Sequence, residues 1–272
     1  MHAPTAAPAS DGGAPLLEVR GISLSFDGVQ ALHRLSFAVR RGEICALIGP
    51  NGAGKSSLLN LLNGVYAPDA GSIHYDGQAF ARMEPFDAAR RGIGRTFQNN
   101  ALFHRLSVQD NVLAGLSRHG RSTFIEHALR LPRARREAAR FVERAEATLA
   151  FLDLLAHRHT PVGQLPYGLQ KRVELARALV SGPRLLLLDE PMAGMNAAEK
   201  QEMGRCIARL HRDLGATVVL IEHDIGIVMN LSHHVVVLDY GRKVGDGTPT
   251  QVQANPDVIA AYLGLAHAQA LP

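Results

Sequence analysis

The sequence predicts an α/β fold wound around a phosphate-binding loop, and three stretches carry that prediction. An apolar run, Ile44-Cys45-Ala46-Leu47-Ile48, leads into Gly49-Pro50-Asn51-Gly52-Ala53-Gly54-Lys55-Ser56, a complete G-x-x-x-x-G-K-[ST] pattern. Ser57-Leu58-Leu59-Asn60-Leu61-Leu62 then leaves at helical spacing, so the loop joins a buried strand to a helix. Farther on, the apolar run Leu185 to Leu188 ends in Asp189-Glu190, and Thr217 to Ile221 ends in Glu222-His223-Asp224. Acids at the end of a buried strand are poorly explained as solubility residues. The strand delivers them to the sheet edge where α/β folds bind ligands.

The loop has a definite chemistry. Its glycines let successive backbone N–H groups turn towards one anion, and the helix start behind them adds partial positive charge. Lys55 can reach the β and γ phosphates of a nucleotide, and Ser56 is the natural magnesium ligand. Gly49, Asn51, Gly52, Ala53, Gly54, Lys55, Ser56 and Ser57 are the expected nucleotide contacts. At average glycine usage the pattern arises by chance in roughly one chain of this length in a hundred, and the flanking strand and helix make chance rarer still.

The 272 residues allow one large domain or two small ones, and 46% hydrophobic residues suffice for a core. No apolar run approaches the ~18 residues of a membrane helix. Residues 1–15 are rich in Ala, Pro and Gly without a basic start or apolar centre, which reads as a disordered tail and not as a secretory signal. Cys45 and Cys206 stand far apart with no second ligand at metal spacing, which argues against zinc and against a disulfide framework and fits a reducing cytosol. The formal charge of +4 permits contact with anionic lipid or nucleic acid without demanding either.

In chain order, Val19, Ile22, Leu24 and Phe26 approximate strand alternation, and Val39 to Ile48 supplies a further strand after the turn at Arg41-Gly42. Phe26 ends its strand, where a ring either stacks on a base or continues the core alternation; the phosphate loop tips it towards adenine. Pro68-Asp69-Ala70-Gly71 is a turn, Ser72 to Tyr75 a short strand and Asp76-Gly77 another turn. Gly92 to Gln98 reads as a loop, in which the Gln98 amide can ligate magnesium or orient water, a weak signal by itself.

From 99 to 164, Ala, Leu and Arg dominate, with Phe141, Ala145, Leu149 and Leu152 at helical spacing, which predicts a helical insert. Eight Arg and three Glu between Arg118 and Arg144 are either a solvated helix face or a contact with lipid headgroups or a partner subunit. Leu165-Pro166-Tyr167-Gly168-Leu169-Gln170 opens another helix, with Pro166 suited to its start. Asp189 is expected in the magnesium shell, and Glu190 is expected to position or deprotonate the attacking water. His223 leaves a strand end as Glu190 does, with a γ-phosphate as its expected partner. Val235 to Leu238 and Lys243-Val244 finish the sheet, and Asn255 to Leu265 reads as a last short helix or extended tail.

A phosphate loop, an isolated Gln, a glycine-containing helix start, an Asp-Glu pair ending an apolar strand and a strand-end His, in that order, resemble the ATP-binding subunits of ABC transporters over about residues 16–265. The resemblance implies an α/β fold of the ABC-type P-loop ATPase kind: a mixed-sheet RecA-like core, an N-terminal antiparallel β subdomain and an inserted α-helical subdomain at about 99–180, with a C-terminal tail at 266–272. By that resemblance Phe26 is the adenine-stacking aromatic, Gln98 the Q-loop glutamine and Leu165 to Gln170 the signature. Tyr167 and Gly168 then face nucleotide, Asp189 is the Walker B aspartate, Glu190 the catalytic glutamate and His223 the switch histidine. Catalysis would rest on Glu190, His223, Gln98 and Lys55, and magnesium on Ser56, Gln98 and Asp189, with ATP and Mg2+ as the implied cofactors.

Gly94-Arg95-Thr96-Phe97-Gln98, the Arg-rich insert, Glu190-Pro191-Met192-Ala193-Gly194-Met195-Asn196 and the stretch Asn255 to Gly264 look like the branched-chain amino-acid importer branch. Urea and aromatic-acid importers share these features, and the ATPase of lipopolysaccharide export shares them more weakly. The implied partners are a second ATPase in a heterodimer or homodimer, two transmembrane permease subunits and a solute-binding protein. The implied location is peripheral, at the cytoplasmic face of the inner membrane. Nucleic acid is not an expected partner, because there is neither a sustained heptad nor a second phosphate loop. A nucleotide-binding regulator that never turns over is disfavoured by Glu190 and His223. Two places depart from the broad family: the usual Leu-Ser-Gly-Gly-Gln signature appears as Leu165-Pro166-Tyr167-Gly168-Leu169, and Asn196 replaces the usual Asp of the following loop.

Overall fold

The computed structural model describes residues 14–80, 82, 84–96, 102–120, 122–129 and 131–261. Strands β1 (Leu17–Phe26) and β2 (Val29–Val39) form an antiparallel hairpin. Strand β2 differs from the sequence expectation, which ran Val39 and Ile48 together. Its outward residues Gln30, Arg34 and Ser36 are polar, and its inward Leu32 and Leu35 are three apart, so plain alternation is hidden. A bulge absorbs the extra residue, with Arg34 at φ +47°. After the turn at residues 40–43 the chain enters a different sheet as β3 (Ile44–Ile48).

The phosphate loop leads into α1 (Lys55–Leu62), followed by β4 (Ala70–Tyr75) and β5 (Gln78–Phe80), which join the hairpin in the order β2-β1-β4-β5. Helix α2 (Pro85–Arg90) and strand β6 (Ile93–Arg95) come next. Sequence reading missed β5, α2 and β6. Elements of three to six residues are too short to display a period.

The insert supplies α3 (Val108–Ala114), α4 (Phe124–Ala128) and α5 (Pro132–Phe151), and α6 (Tyr167–Leu179) follows. Pro166 takes the N-cap position of α6 instead of its first helical residue. Its carbonyl accepts the N–H groups of Leu169 at 3.0 Å and Gln170 at 3.1 Å, and its own extended ψ of 149° is that of a residue half outside the helix. The chain then runs through β7 (Leu185–Asp189), α7 (Ala197–Leu214), β8 (Thr217–Ile221), α8 (Ile225–Leu231), β9 (His234–Asp239), β10 (Arg242–Gly247) and α9 (Pro249–Gln253). Residues 256–261 are helical, as one of the two readings of the tail expected.

Among the described residues the main sheet has the order β10-β9-β3-β8-β7-β6, parallel except for the β9/β10 pair. Strand β3 lies between β8 and β9, so the chain leaves it at the point where the strand order turns back. Ligands of open α/β sheets collect at such a point.

The pleat sorts the apolar strands into two faces, since successive side chains alternate. Cys45, Leu47, Leu185, Leu187, Val219, Ile221, Val236 and Leu238 pack against α1 and the N-terminal sheet. Ile44, Leu186, Leu188, Val218 and Leu220 face the other way, into a cluster shared with α3, α5, α6 and α7. Each fully buried Leu, Ile or Val contributes ~1.5–3 kcal/mol by leaving water, so the register of the central strands is strongly specified.

Within the insert, the fully buried Asn111 holds the loop before α3. Its Oδ1 accepts the Phe103 N–H at 2.8 Å, and its Nδ2 donates to the carbonyls of Phe103 and Ser107, both at 3.0 Å. Among the described residues no helix is long and apolar enough to cross a membrane.

Candidate active site

Strand β3 hands five apolar residues to a turn that only glycine can make. Gly49 has φ +146°, and a Cβ there would lie 2.0 Å from the Leu238 carbonyl oxygen on β9. Gly54 has φ +94° and would meet the Ala31 carbonyl oxygen at 2.5 Å. The loop is thus pressed against β9 on one side and the β1–β2 hairpin on the other. Asn51 to Ser57 line a cavity of about 230 Å3, completed by Ala31 and Glu190.

Lys55 opens α1 with its side chain folded back, Nζ donating to the carbonyls of Gly49 and Pro50, both at 2.7 Å. Burial lowers its pKa, and the nearby carboxylates of Glu190 and Asp189 act in the opposite direction. The ammonium therefore sits at the mouth of a ring of backbone groups, positioned where an anion on the loop would meet it.

The pleat places Asp189. Leu185 and Leu187 face α1, so Asp189, two residues farther, faces it as well. Its side chain is 2% exposed, and Oδ2 accepts from Arg95 Nη2 at 3.1 Å. Arg95 belongs to β6, where Ile93 also faces this layer, and its Nη1 donates to Asn60 Oδ1 of α1 at 2.7 Å. Burial raises the Asp189 pKa, and the Arg95 guanidinium offsets part of the rise. Asp189 Oδ1 is buried with no hydrogen-bond partner among the described residues.

Just past β7 the chain turns sharply: Glu190 has φ +48°, and its N–H bonds the Ile221 carbonyl at 3.0 Å. A non-glycine residue held in the left-handed region costs ~1–3 kcal/mol, and such strain clusters at functional sites. The turn swings the Glu190 carboxylate over the phosphate loop. Its Oε1 lies 2.7 Å from His223 Nε2. His223 is thus joined to Glu190 at the mouth of the loop.

Phe26 is not among the residues lining the loop cavity; its ring is 39% exposed and packs edge-on against Tyr66, centroids 4.9 Å apart. Tyr167 and Gly168 lie on α6, away from that cavity, against the segment that follows Glu190. A Cβ on Gly194 would be 3.2 Å from the Tyr167 ring, and one on Gly168 would be 2.7 Å from the Glu199 carboxylate. Gln98 lies outside the described residues.

Sequence reasoning missed Ala31, Asn60, Arg95 and Glu222 as parts of this site. Glu222 is 4% exposed; its Oε1 accepts the Met192 N–H at 2.8 Å and its Oε2 the His223 N–H at 3.3 Å, tying the turn after Glu190 to the histidine. Its only signal in the sequence was its place ahead of His223 at the end of β8.

A glycine loop between a central strand and a helix, an acid ending the neighbouring strand and a second acid turned over the loop define the fold and site of a P-loop nucleotide-binding protein. The ABC transporter family profile matches residues 32–193, and that of the branched-chain amino acid ATP-binding cassette transporters matches residues 242–268. The chain is 40% identical to the high-affinity branched-chain amino acid transport ATP-binding protein BraF of Pseudomonas aeruginosa, over 92% of this chain and 98% of that one. It is 38% identical to LivG of Escherichia coli, which bears the same description, with the same coverage. A crystal structure of the ADP conformation of an ATP-binding cassette of an ABC transporter superposes with a TM-score of 0.80 at 28% identity, covering 93% of this chain and 100% of that one. The chain belongs to the ABC transporter family, as an ATPase of its branched-chain amino acid group.

The buried carboxylates generate two predictions. Arg95→Met leaves Asp189 without its buried counter-charge and should lower stability by about 3–5 kcal/mol. Adding Asp189→Asn should recover a large part of that loss in a denaturant-melting double-mutant cycle; full additivity of the two changes would contradict the pairing. Glu222 has its pKa raised, chiefly by burial, above the usual 4.5. The folded state thus favours its neutral form, and its contribution to stability is present at low pH and lost as pH rises through the folded value. Glu222→Gln keeps an acceptor for the Met192 N–H without that loss. The melting temperature of the variant relative to the native chain should climb as pH goes from 5 to 8, and a difference independent of pH would contradict it.

Proposed function

We propose that this chain is the ATP-hydrolysing subunit of an ABC importer that carries branched-chain amino acids or a related small polar solute inward, working at the cytoplasmic face of the inner membrane. The observation that carries the hydrolytic part is Glu190, held on a left-handed turn over the phosphate loop and joined to His223. The cargo assignment is supported by the relatives' names and by the match over residues 242–268.

In this reading the loop N–H groups and Lys55 bind the β and γ phosphates of ATP, and Phe26, with Tyr66 behind it, offers its exposed ring to adenine. The residues suit magnesium: Asp189 presents a buried oxygen without a partner, Ser56 a hydroxyl at the first turn of α1, and Gln98 is the third expected ligand. Magnesium, when bound, offsets charge on the phosphates. Glu190 accepts a proton from the attacking water, and His223 orients that carboxylate and stands ready for the γ-phosphate.

Two ATPase subunits pair head-to-tail, each ATP lying between one phosphate loop and the other subunit's signature. The N–H groups of Tyr167 and Gly168 open α6 without partners among the described residues, which suits them to an anion brought by the partner. Two permease subunits receive the motion through the insert and Gln98, and a solute-binding protein delivers the cargo.

Lys55→Ala should weaken ATP binding, whereas Glu190→Gln should retain binding and lower turnover by about 10²–10⁴-fold. Nucleotide titration beside phosphate release separates the two, and an equal loss of affinity in both variants would overturn the assignment of Glu190 to chemistry.

The altered signature makes the two ATP sites of a heterodimer unequal. The site on this chain's loop has a full catalytic set, while the opposite one meets Pro166, which lacks the usual serine hydroxyl. Losing one such donor costs ~3 kcal/mol, or about a hundredfold in rate. Glu190→Gln in this chain should abolish most heterodimer turnover, while the matching change in the partner leaves much of it. Similar losses from both, or a fully active homodimer of this chain, would contradict the asymmetry.

A further inference from the structure

The arginine-rich part of the insert binds neither nucleotide nor magnesium in the transport reading, which gives the insert only the passing of motion to the permease. From Arg118 to Arg144 the sequence holds eight Arg and three Glu, a surplus of five positive charges, whereas the whole chain carries +4. The rest of the chain is therefore slightly acidic, and the basic character is concentrated in one place. On α5, Arg133, Arg136 and Arg140 succeed one another at three and four residues and share a face. The buried residues of that helix, Ala134, Glu137, Ala145 and Leu149, lie on a different side.

These arginines, with Glu126, Leu131 and Pro132, line an open hollow of about 860 Å3. Leu131, 40% exposed, lines it, and Ile125 and Leu129, each 66% exposed, stand in solvent on the segment just before it. One exposed leucine is ordinary, but three large apolar side chains within seven residues that lead into a cationic helix face call for a partner. The local acids cancel only part of the charge: three Glu stand against eight Arg, Glu126 pairs with Arg133 at 3.5 Å and accepts the Thr123 N–H at 2.7 Å, and Glu137 is buried and accepts the Ser122 N–H at 3.2 Å.

We propose that this face is a membrane-surface contact, in which Arg133, Arg136 and Arg140 bind the phosphates of anionic phospholipid headgroups while Ile125, Leu129 and Leu131 enter the boundary between headgroups and acyl chains. Charge and shape select this occupant. A basic face beside apolar tips is the composition of interfacial segments, and the anionic leaflet attracts each arginine by about fivefold in affinity. A nucleic acid would match the arginines and leave the apolar tips in water. A protein partner would need its own dense acidic patch around an apolar centre. The contact rests on the transport reading only in that a bilayer is near, and it would hold the insert against the lipid beside the permease.

The test uses the full chain with vesicles of phosphatidylcholine alone or of phosphatidylcholine with phosphatidylglycerol. The protein should float with the anionic vesicles at low salt, stay behind with the neutral ones, and be released as salt rises. Arg136→Gln with Arg140→Gln should bind about 25-fold more weakly while keeping ATP binding and the unfolding midpoint. The chain has no tryptophan, so Leu129→Trp supplies a single reporter whose emission should shift to the blue on anionic vesicles. Absence of flotation, unchanged affinity in the arginine variant, an unmoved Trp emission, or flotation only when permease is in the vesicles would overturn the proposal. ATP hydrolysis, measured separately, tests the transport reading and not this one.

Discussion

A carboxylate buried at the end of an apolar strand is the constraint around which this site is built. Asp189 follows four leucines on β7, between β8 and β6 of the main sheet, and is 2% exposed. An isolated ionised carboxylate there would be prohibitively unfavourable, and a protonated one would be useless for cation binding. Arg95 resolves the conflict halfway. It pairs with one carboxylate oxygen and is itself fastened to α1 through Asn60, so strand β6, strand β7 and the phosphate-loop helix meet in a single buried hydrogen-bonded chain. The other oxygen stays unpaired. A fully satisfied aspartate would stabilise the fold more and have nothing left for a metal, so the unpaired oxygen is what the proposed magnesium role of Asp189 draws on.

The phosphate loop, Asp189, Glu190 and His223 were legible in the sequence because each sits where a strongly apolar strand stops, and a stop in an apolar run is a local signal. The contacts that make them a site were not. Arg95 meets Asn60 across 35 residues of sequence and Asp189 across 94, and no periodicity records such a pairing. Strand β6 is three residues long, so the alternation that turns Arg95 inward cannot be read from it. Strand β2 was lost for another reason: a bulge at Arg34 breaks its alternation. It matters to the site because the Ala31 carbonyl is what leaves no room for a side chain at Gly54.

The charged groups of the site are held by one another and by backbone. Lys55 is satisfied by two loop carbonyls, Glu190 lies against His223, and Glu222 beneath them anchors both Met192 and His223 through their N–H groups. These bonds fix the side chains before any ligand arrives, and preorganised charge of this kind is where most catalytic stabilisation originates.

The same reasoning explains why the unusual signature is compatible with a working subunit. Pro166 removes a hydroxyl, yet the helix it caps is fixed against the loop that follows Glu190. The Tyr167 ring packs on Gly194, whose φ of +76° leaves no side chain in the way. Glu199 packs on Gly168 while closing a capping box with Asn196, each side chain accepting the other's backbone N–H at 3.0 Å. Asparagine serves that N-cap as well as aspartate does, because the bond needs only one side-chain oxygen, so the change from the usual acid is structurally mild. Its consequence is electrostatic: the loop loses a negative charge at the start of α7, next to the α6 start that the proposed reading sets opposite a partner's phosphates. A neutral cap there raises the positive potential of the α6 N-terminus and so compensates in part for the donor that Pro166 does not supply.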